Sequence, residues 1–137
     1  MAITVFKKTD RVWIDVGEAQ FAFAPIDVQS KQKLYAKAGT IKDDDTMGLE
    51  FAKDIVKLTL KDCKGILNSD GSDYKLIFDS NGLLCDDSIE DLLNTDIAAQ
   101  LITITSSFLA GMPSGDVIIN PADGKPVEGV KVLKKTS

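Results

Sequence analysis

Two short β-type runs separated by a turn constrain this chain most. Val12-Trp-Ile-Asp-Val16 is rich in β-branched and aromatic residues, Gly17-Glu-Ala follows, and Gln20-Phe-Ala-Phe-Ala24 resumes the pattern. Such a pair reads as a β-hairpin. Side chains alternate faces along a strand, so Phe21 and Phe23 share one face. Pro25 ends the second run, because proline cannot donate to a ladder. A hairpin alone is marginal in water and must be covered.

The cover is legible as helices. Asp27 can cap a helix over about 27–38, with Val28, Leu34, Tyr35 and Ala38 as a modest apolar stripe and Gly39 as its stop. Asp43-Asp-Asp-Thr46 opens the clearest helix, with Asp45 or Thr46 as cap, running to about residue 62. Its apolar stripe is Leu49, Ala52, Ile55, Val56 and Leu60, widened by Phe51 and Leu58. Glu50, Lys53, Asp54, Lys57 and Lys61 fill the other face. Asp87-Ser-Ile-Glu90 is spaced as a capping box for a short helix carrying Ile89, Leu92 and Leu93. Thr95 can cap another over 96–109, with Ile97, Leu101, Ile104 and Phe108 on one line. Leu101-Ile-Thr-Ile-Thr105 is also β-branched enough for a strand. The helical spacing and the Gly111/Pro113 stop favour the helix.

Ile3-Thr-Val-Phe6 alternates weakly as a short strand. Tyr74-Lys-Leu-Ile-Phe78 reads as the third strand of a small antiparallel sheet with 12–16 and 20–24, between the turns 68–73 and 79–82. The fold class expected is α+β: a small antiparallel sheet or hairpins packed on several helices, with a C-terminal extension. Trp13, Phe21, Phe23, Phe51, Ile55, Leu58, Phe78 and Phe108 are expected to supply most of the core. The chain is 137 residues, one domain by size. Residues 1–111 are read as that domain and 112–137 as a hairpin or an arm.

Several chemistries fall away. The chain has no histidine, which removes Ser–His and Cys–His nucleophiles and imidazole metal ligands. Cys63 and Cys85 form no CxxC and read as reduced, partly buried thiols of a cytosolic protein. The acidic turns fail as calcium loops. With Gly71 at loop position six, Ile66 and Ile77 occupy the first and last places; with Gly82 there, Ile77 and Ser88 do. No glycine cluster precedes a helix as a phosphate loop would require. Carboxylates are plentiful, but a paired-acid hydrolase also needs a cleft of aromatic and polar groups, and one Trp and two Tyr speak against one. Neither an enzyme nor a cofactor or metal requirement is expected.

Charge is uneven along the chain. Residues 1–42 carry seven Lys/Arg against four acids, residues 43–96 five against fourteen, and residues 97–137 four against three. The acidic middle disfavours nucleic acid, because phosphates repel carboxylates. The first eight residues lack the apolar run of a signal peptide, and no apolar stretch approaches the length of a membrane span. A cytoplasmic location is expected.

The order of elements resembles the tail assembly chaperones of long-tailed bacteriophages over about residues 12–110. The resemblance runs through Gln20-Phe-Ala-Phe-Ala-Pro-Ile-Asp-Val28, Leu34-Tyr35, Phe51 to Leu60, Cys63-Lys-Gly-Ile66, the Asp70-Gly71 turn, Tyr74 to Phe78, and Asp86-Asp-Ser-Ile-Glu-Asp-Leu-Leu93. It implies a non-enzymatic protein in the cytoplasm of a bacterial host. Such proteins bind the long, apolar tape measure protein, keep it soluble, help recruit tail tube subunits, and then leave. A homo-oligomer is compatible with that role. The alternative is a permanent structural component of the phage particle, such as a small neck or tail protein. For either role the partner-facing candidates are Ile102, Leu109, Met112, Val117 and Ile118. Ile102 and Leu109 lie off the helix's main apolar line, and the other three begin a segment rich in turn formers.

Overall fold

A computed structural model describes residues 5–38, 45–109, 111–113, 117–120 and 123–136. The fold is α+β, as expected. Its described elements are strands β1 (Arg11–Val16), β2 (Ala19–Phe23), β3 (Leu60–Lys64) and β4 (Val130–Thr136). The helices are α1 (Val28–Ala38), α2 (Asp45–Thr59), α3 (Asp86–Leu93) and α4 (Ala98–Ser107).

The hairpin forms as read. Val12 faces Phe23, Trp13 faces Ala22, and Ile14 faces Phe21 across an antiparallel ladder. Gly17 has φ +61°, and no non-glycine residue among those described has positive φ. A two-residue loop with glycine first matches the right-handed twist of its strands. Burial alternates strictly along β1, with Val12, Ile14 and Val16 inside. Phe21 and Phe23 point the same way, and Phe23 meets Phe108 edge-on at 5.1 Å between ring centroids.

The rest of the sheet differs from expectation. Its order is β3-β2-β1-β4, antiparallel throughout. Residues 74–78 are not a strand of it. Phe78 makes one isolated bridge to Leu84, and Leu67 one to Asp73, so 66–85 is an excursion of two small turns. The third strand is β3, which leaves α2 with no intervening loop. Helical periodicity masks the change, because Leu60 falls on the line of Ile55 and Val56 and is buried in either conformation. At the junction the fully buried Thr59 hydroxyl donates to the Ile55 carbonyl at 2.8 Å, and the Ala24 amide donates to the Thr59 carbonyl at 2.8 Å. The backbone therefore stays satisfied as it leaves the helix.

The C-terminal segment is neither a detached arm nor only a hairpin. Residues 118–120 pair with 125–127 through the Ile119–Pro126 bridge. Then β4 lies beside β1, with Val132 opposite Ile14 and buried. Ile118 is only 2% exposed and belongs to the core.

α1, α2 and α4 follow the periodicity, each somewhat shorter than its expected span. Ala52, Ile55 and Val56 of α2 are buried, while Glu50 is exposed. The hydroxyls of Thr103 and Thr105 donate to the carbonyls of Ala99 and Leu101, so β-branched Thr residues are accommodated in α4. Two caps differ. Cys85, not Asp87, is the N-cap of α3, and Asp86 and Asp87 sit in its positive first turn. Ile97 caps α4, while the Thr95 hydroxyl donates back to the Leu92 carbonyl at 2.6 Å. Asp27 does cap α1, accepting from the Ser30 amide at 2.7 Å. The expected strand at Ile3–Phe6, the Gly39 stop, the acids at 43–44 and the side chain of Leu49 lie wholly or partly outside the described residues.

Candidate protein-binding surface

The outer face of the sheet is built by the strand residues that alternation turns away from the helices. Arg11, Trp13 and Asp15 of β1 stand beside Gln20 and Ala22 of β2 and Asp62 and Lys64 of β3. Trp13 was expected in the core, and so was Phe78. Trp13 is instead half-buried, and Phe78 is 38% exposed. The Lys64 ammonium sits 4.6 Å from the centroid of the Trp13 ring, a cation–π distance. Phe51 and Leu58 pack on the core while partly open, and Phe21, Phe23, Ile55 and Phe108 are buried as expected.

Two irregularities flank Trp13. The β1–β4 register shifts between Trp13 and Ile14, which makes Leu133 an extra residue. The β2–β3 register shifts between Ala22 and Phe23, which makes Lys61 the extra one. An extra residue bends its strand and re-aims its side chain, and such bulges concentrate beside binding sites. Here the second bulge turns Lys61 toward the 79–83 turn, where its ammonium donates to the Gly82 carbonyl at 3.0 Å. Burial and the neighbouring Arg11 charge hold the Lys61 pKa below its ordinary value.

Three depressions meet at this point. The first, about 770 Å³, lies between residues 6–11, the β2–α1 connection, the end of α2 and the 81–83 turn. Phe6, Pro25, Ile26, Leu58 and Leu83 give it apolar walls, and Lys8, Arg11 and Lys61 are its cations. The second, about 440 Å³, runs over Trp13 and Ala22 to Phe78 and Gly82, sharing Arg11 and Lys61 with the first. The third, also about 440 Å³, follows β3 beside residues 73–78 and shares Lys61, Asp62 and Phe78 with the second. Together they make one continuous surface that meets at Lys61, with Arg11 shared by the first two and Asp62 and Phe78 by the second and third. An amphipathic peptide laid along it would find aromatic contact at Trp13 and Phe78, the residue types that dominate protein interfaces.

The partner-facing residues expected from sequence are not gathered there. Leu109 and Met112 are partly buried against the core, Ile102 is half-buried on α4, and Val117 is 50% exposed. Ile118 is buried and is corrected to a core residue. Residue type hides Trp13, because a lone tryptophan beside Phe21 and Phe23 reads as core. The signal was present: at period two, Trp13 shares a face with Arg11 and Asp15, opposite to Ile14.

Cys63 and Cys85 are free, and burial beside Asp62 pushes the Cys63 thiol up to about 11, away from nucleophilic use near neutrality. The Asp70 and Asp79 carboxylates accept bonds from amides and hydroxyls of their own turns. Among the described residues, no three His, Cys, Asp or Glu side chains form a group able to hold a metal ion. No described helix is long and apolar enough to cross a membrane. No family model, no curated protein and no solved structure matches the chain.

Proposed function

We propose that this chain is a non-enzymatic binding protein, a tail assembly chaperone of long-tailed phage acting in the host cytoplasm. It holds an apolar segment of the tape measure protein on the surface around Trp13 and releases it as tail tube subunits assemble. The observation that carries the binding role is the half-buried Trp13 with the exposed Phe78 in one depression, which meets two others at Lys61. Large apolar side chains grouped at the surface of a charged domain favour association with another protein. The phage assignment rests on the resemblance in element order.

Co-expression tests the reading. A tape measure fragment that aggregates alone should stay soluble with the wild-type chain and pellet with the Trp13→Thr, Phe78→Ser double variant. Threonine keeps strand propensity at position 13, and a cooperative melt of the variant shows that it is folded. A folded double variant that still rescues the fragment would remove this surface as the binding site. Stoichiometric recovery of the protein in purified virions would contradict a transient role.

A further inference from the structure

The charge pattern of this surface, taken with its proposed role in protein binding, narrows what can occupy it. The largest depression is lined by three cations, Lys8, Arg11 and Lys61, and by one carboxylate, Asp27. That carboxylate is already engaged, accepting from the Ser30 amide at 2.7 Å and the Ser30 hydroxyl at 3.1 Å. The Arg11 guanidinium is anchored at the edge by the carbonyls of Lys8 and Asp10, at 3.2 and 2.9 Å. Lys61 donates to a neutral carbonyl, and no salt bridge among the described residues includes it. By contrast Lys37, Lys53 and Lys57 are matched to acids on and around α2. Three cations and one engaged carboxylate thus line this depression beside its apolar walls, on a chain of net charge −5.

We propose that the occupant is an acidic–apolar peptide segment: its apolar side chains enter the depression walled by Phe6, Leu58 and Leu83, and an Asp or Glu carboxylate lies between Lys61 and Arg11. Burial and the Arg11 charge both disfavour the Lys61 ammonium, and the Asp79 charge offsets them only in part. A carboxylate there relieves that repulsion and gains charge-assisted hydrogen bonds. A basic partner would meet like charge at the same place, which selects against it.

The test uses the full chain and three labelled amphipathic peptides with one apolar face and with Glu, Gln or Lys on the other. Fluorescence anisotropy should give the Glu peptide a dissociation constant roughly tenfold below that of the Gln peptide, with the Lys peptide weakest. The advantage should shrink at high salt. Lys61→Gln should abolish the preference for the Glu over the Gln peptide, and Lys61→Arg should preserve it. Equal wild-type affinity for the Glu and Gln peptides overturns the inference and leaves the protein-binding role standing. A preference that survives in folded Lys61→Gln places the carboxylate elsewhere and overturns it too. If none of the three peptides binds wild-type protein, the protein-binding reading itself fails.

Discussion

Trp13 occupies a row of the sheet, Asp62–Ala22–Trp13–Lys134, bordered by a register shift on either side. Its ring sits beside the nearly inaccessible methyl of Ala22 and under the Lys64 ammonium, so one position joins packing to the proposed binding surface. A second position is constrained by backbone. Gly65 has φ +79°, and a Cβ there would lie 2.6 Å from the Glu18 carbonyl oxygen. Alanine at 65 therefore meets both a disfavoured backbone region and a clash with the hairpin turn. Gly65→Ala should cost at least about 1–3 kcal/mol in urea unfolding; an unchanged midpoint would refute that close approach. Cys63 gives a pH prediction. Its thiol pKa rises from 9.0 to about 11 in the fold, chiefly by burial and then by the Asp62 charge. The fold thus favours the protonated form, and this contribution is complete below pH 9 and lost as pH rises through 11. In a Cys85→Ser background, alkylation of folded protein should accelerate with a midpoint near 11, whereas a midpoint of 9 or below would mean an open thiol.

At the scale of elements, periodicity reveals what kind of structure a segment forms better than where that structure stops. The hairpin and α2 were legible because one has a period-two face and the other a helical stripe of Ala52, Ile55 and Val56. β3 was not, because Leu60 satisfies both patterns and the helix passes into the strand without a turn residue between them. The run 74–78 has strand composition, yet Ile77 is 57% exposed and its amide donates to the Ser88 hydroxyl rather than to a sheet partner. Composition states a preference that tertiary pairing overrides. β4 was obscured by lysines at 131, 134 and 135, which are suited to an edge strand because they discourage further pairing. Its role is testable. Ending the chain after Gly129 removes the β1–β4 ladder and buried Val132, and should lower stability by roughly 3 kcal/mol or more. A truncated chain that melts like the full one would restore the detached-arm reading of the tail.

At the scale of the whole molecule, the described ion pairs gather around α2. Lys37, Lys53 and Lys57 tie α2 to α1 and α3 through exposed ion pairs, each worth little alone. The cations at Arg11, Lys61 and Lys64 gather instead on the side of the sheet where Trp13 and Phe78 emerge. A chain built only to fold gains little from two half-open aromatics beside a basic edge, whereas a protein that grips an apolar partner uses both. The position of the client on the domain tests this most directly. Backbone amide shifts of the full-length protein, followed by NMR as an amphipathic acidic peptide is titrated, should change most at 11–13, 61–64 and 77–82. They should change little on α4 and around Met112 and Val117. The account is contradicted if the largest changes fall on Ile102, Leu109, Met112 and Val117 while the Trp13 row stays still.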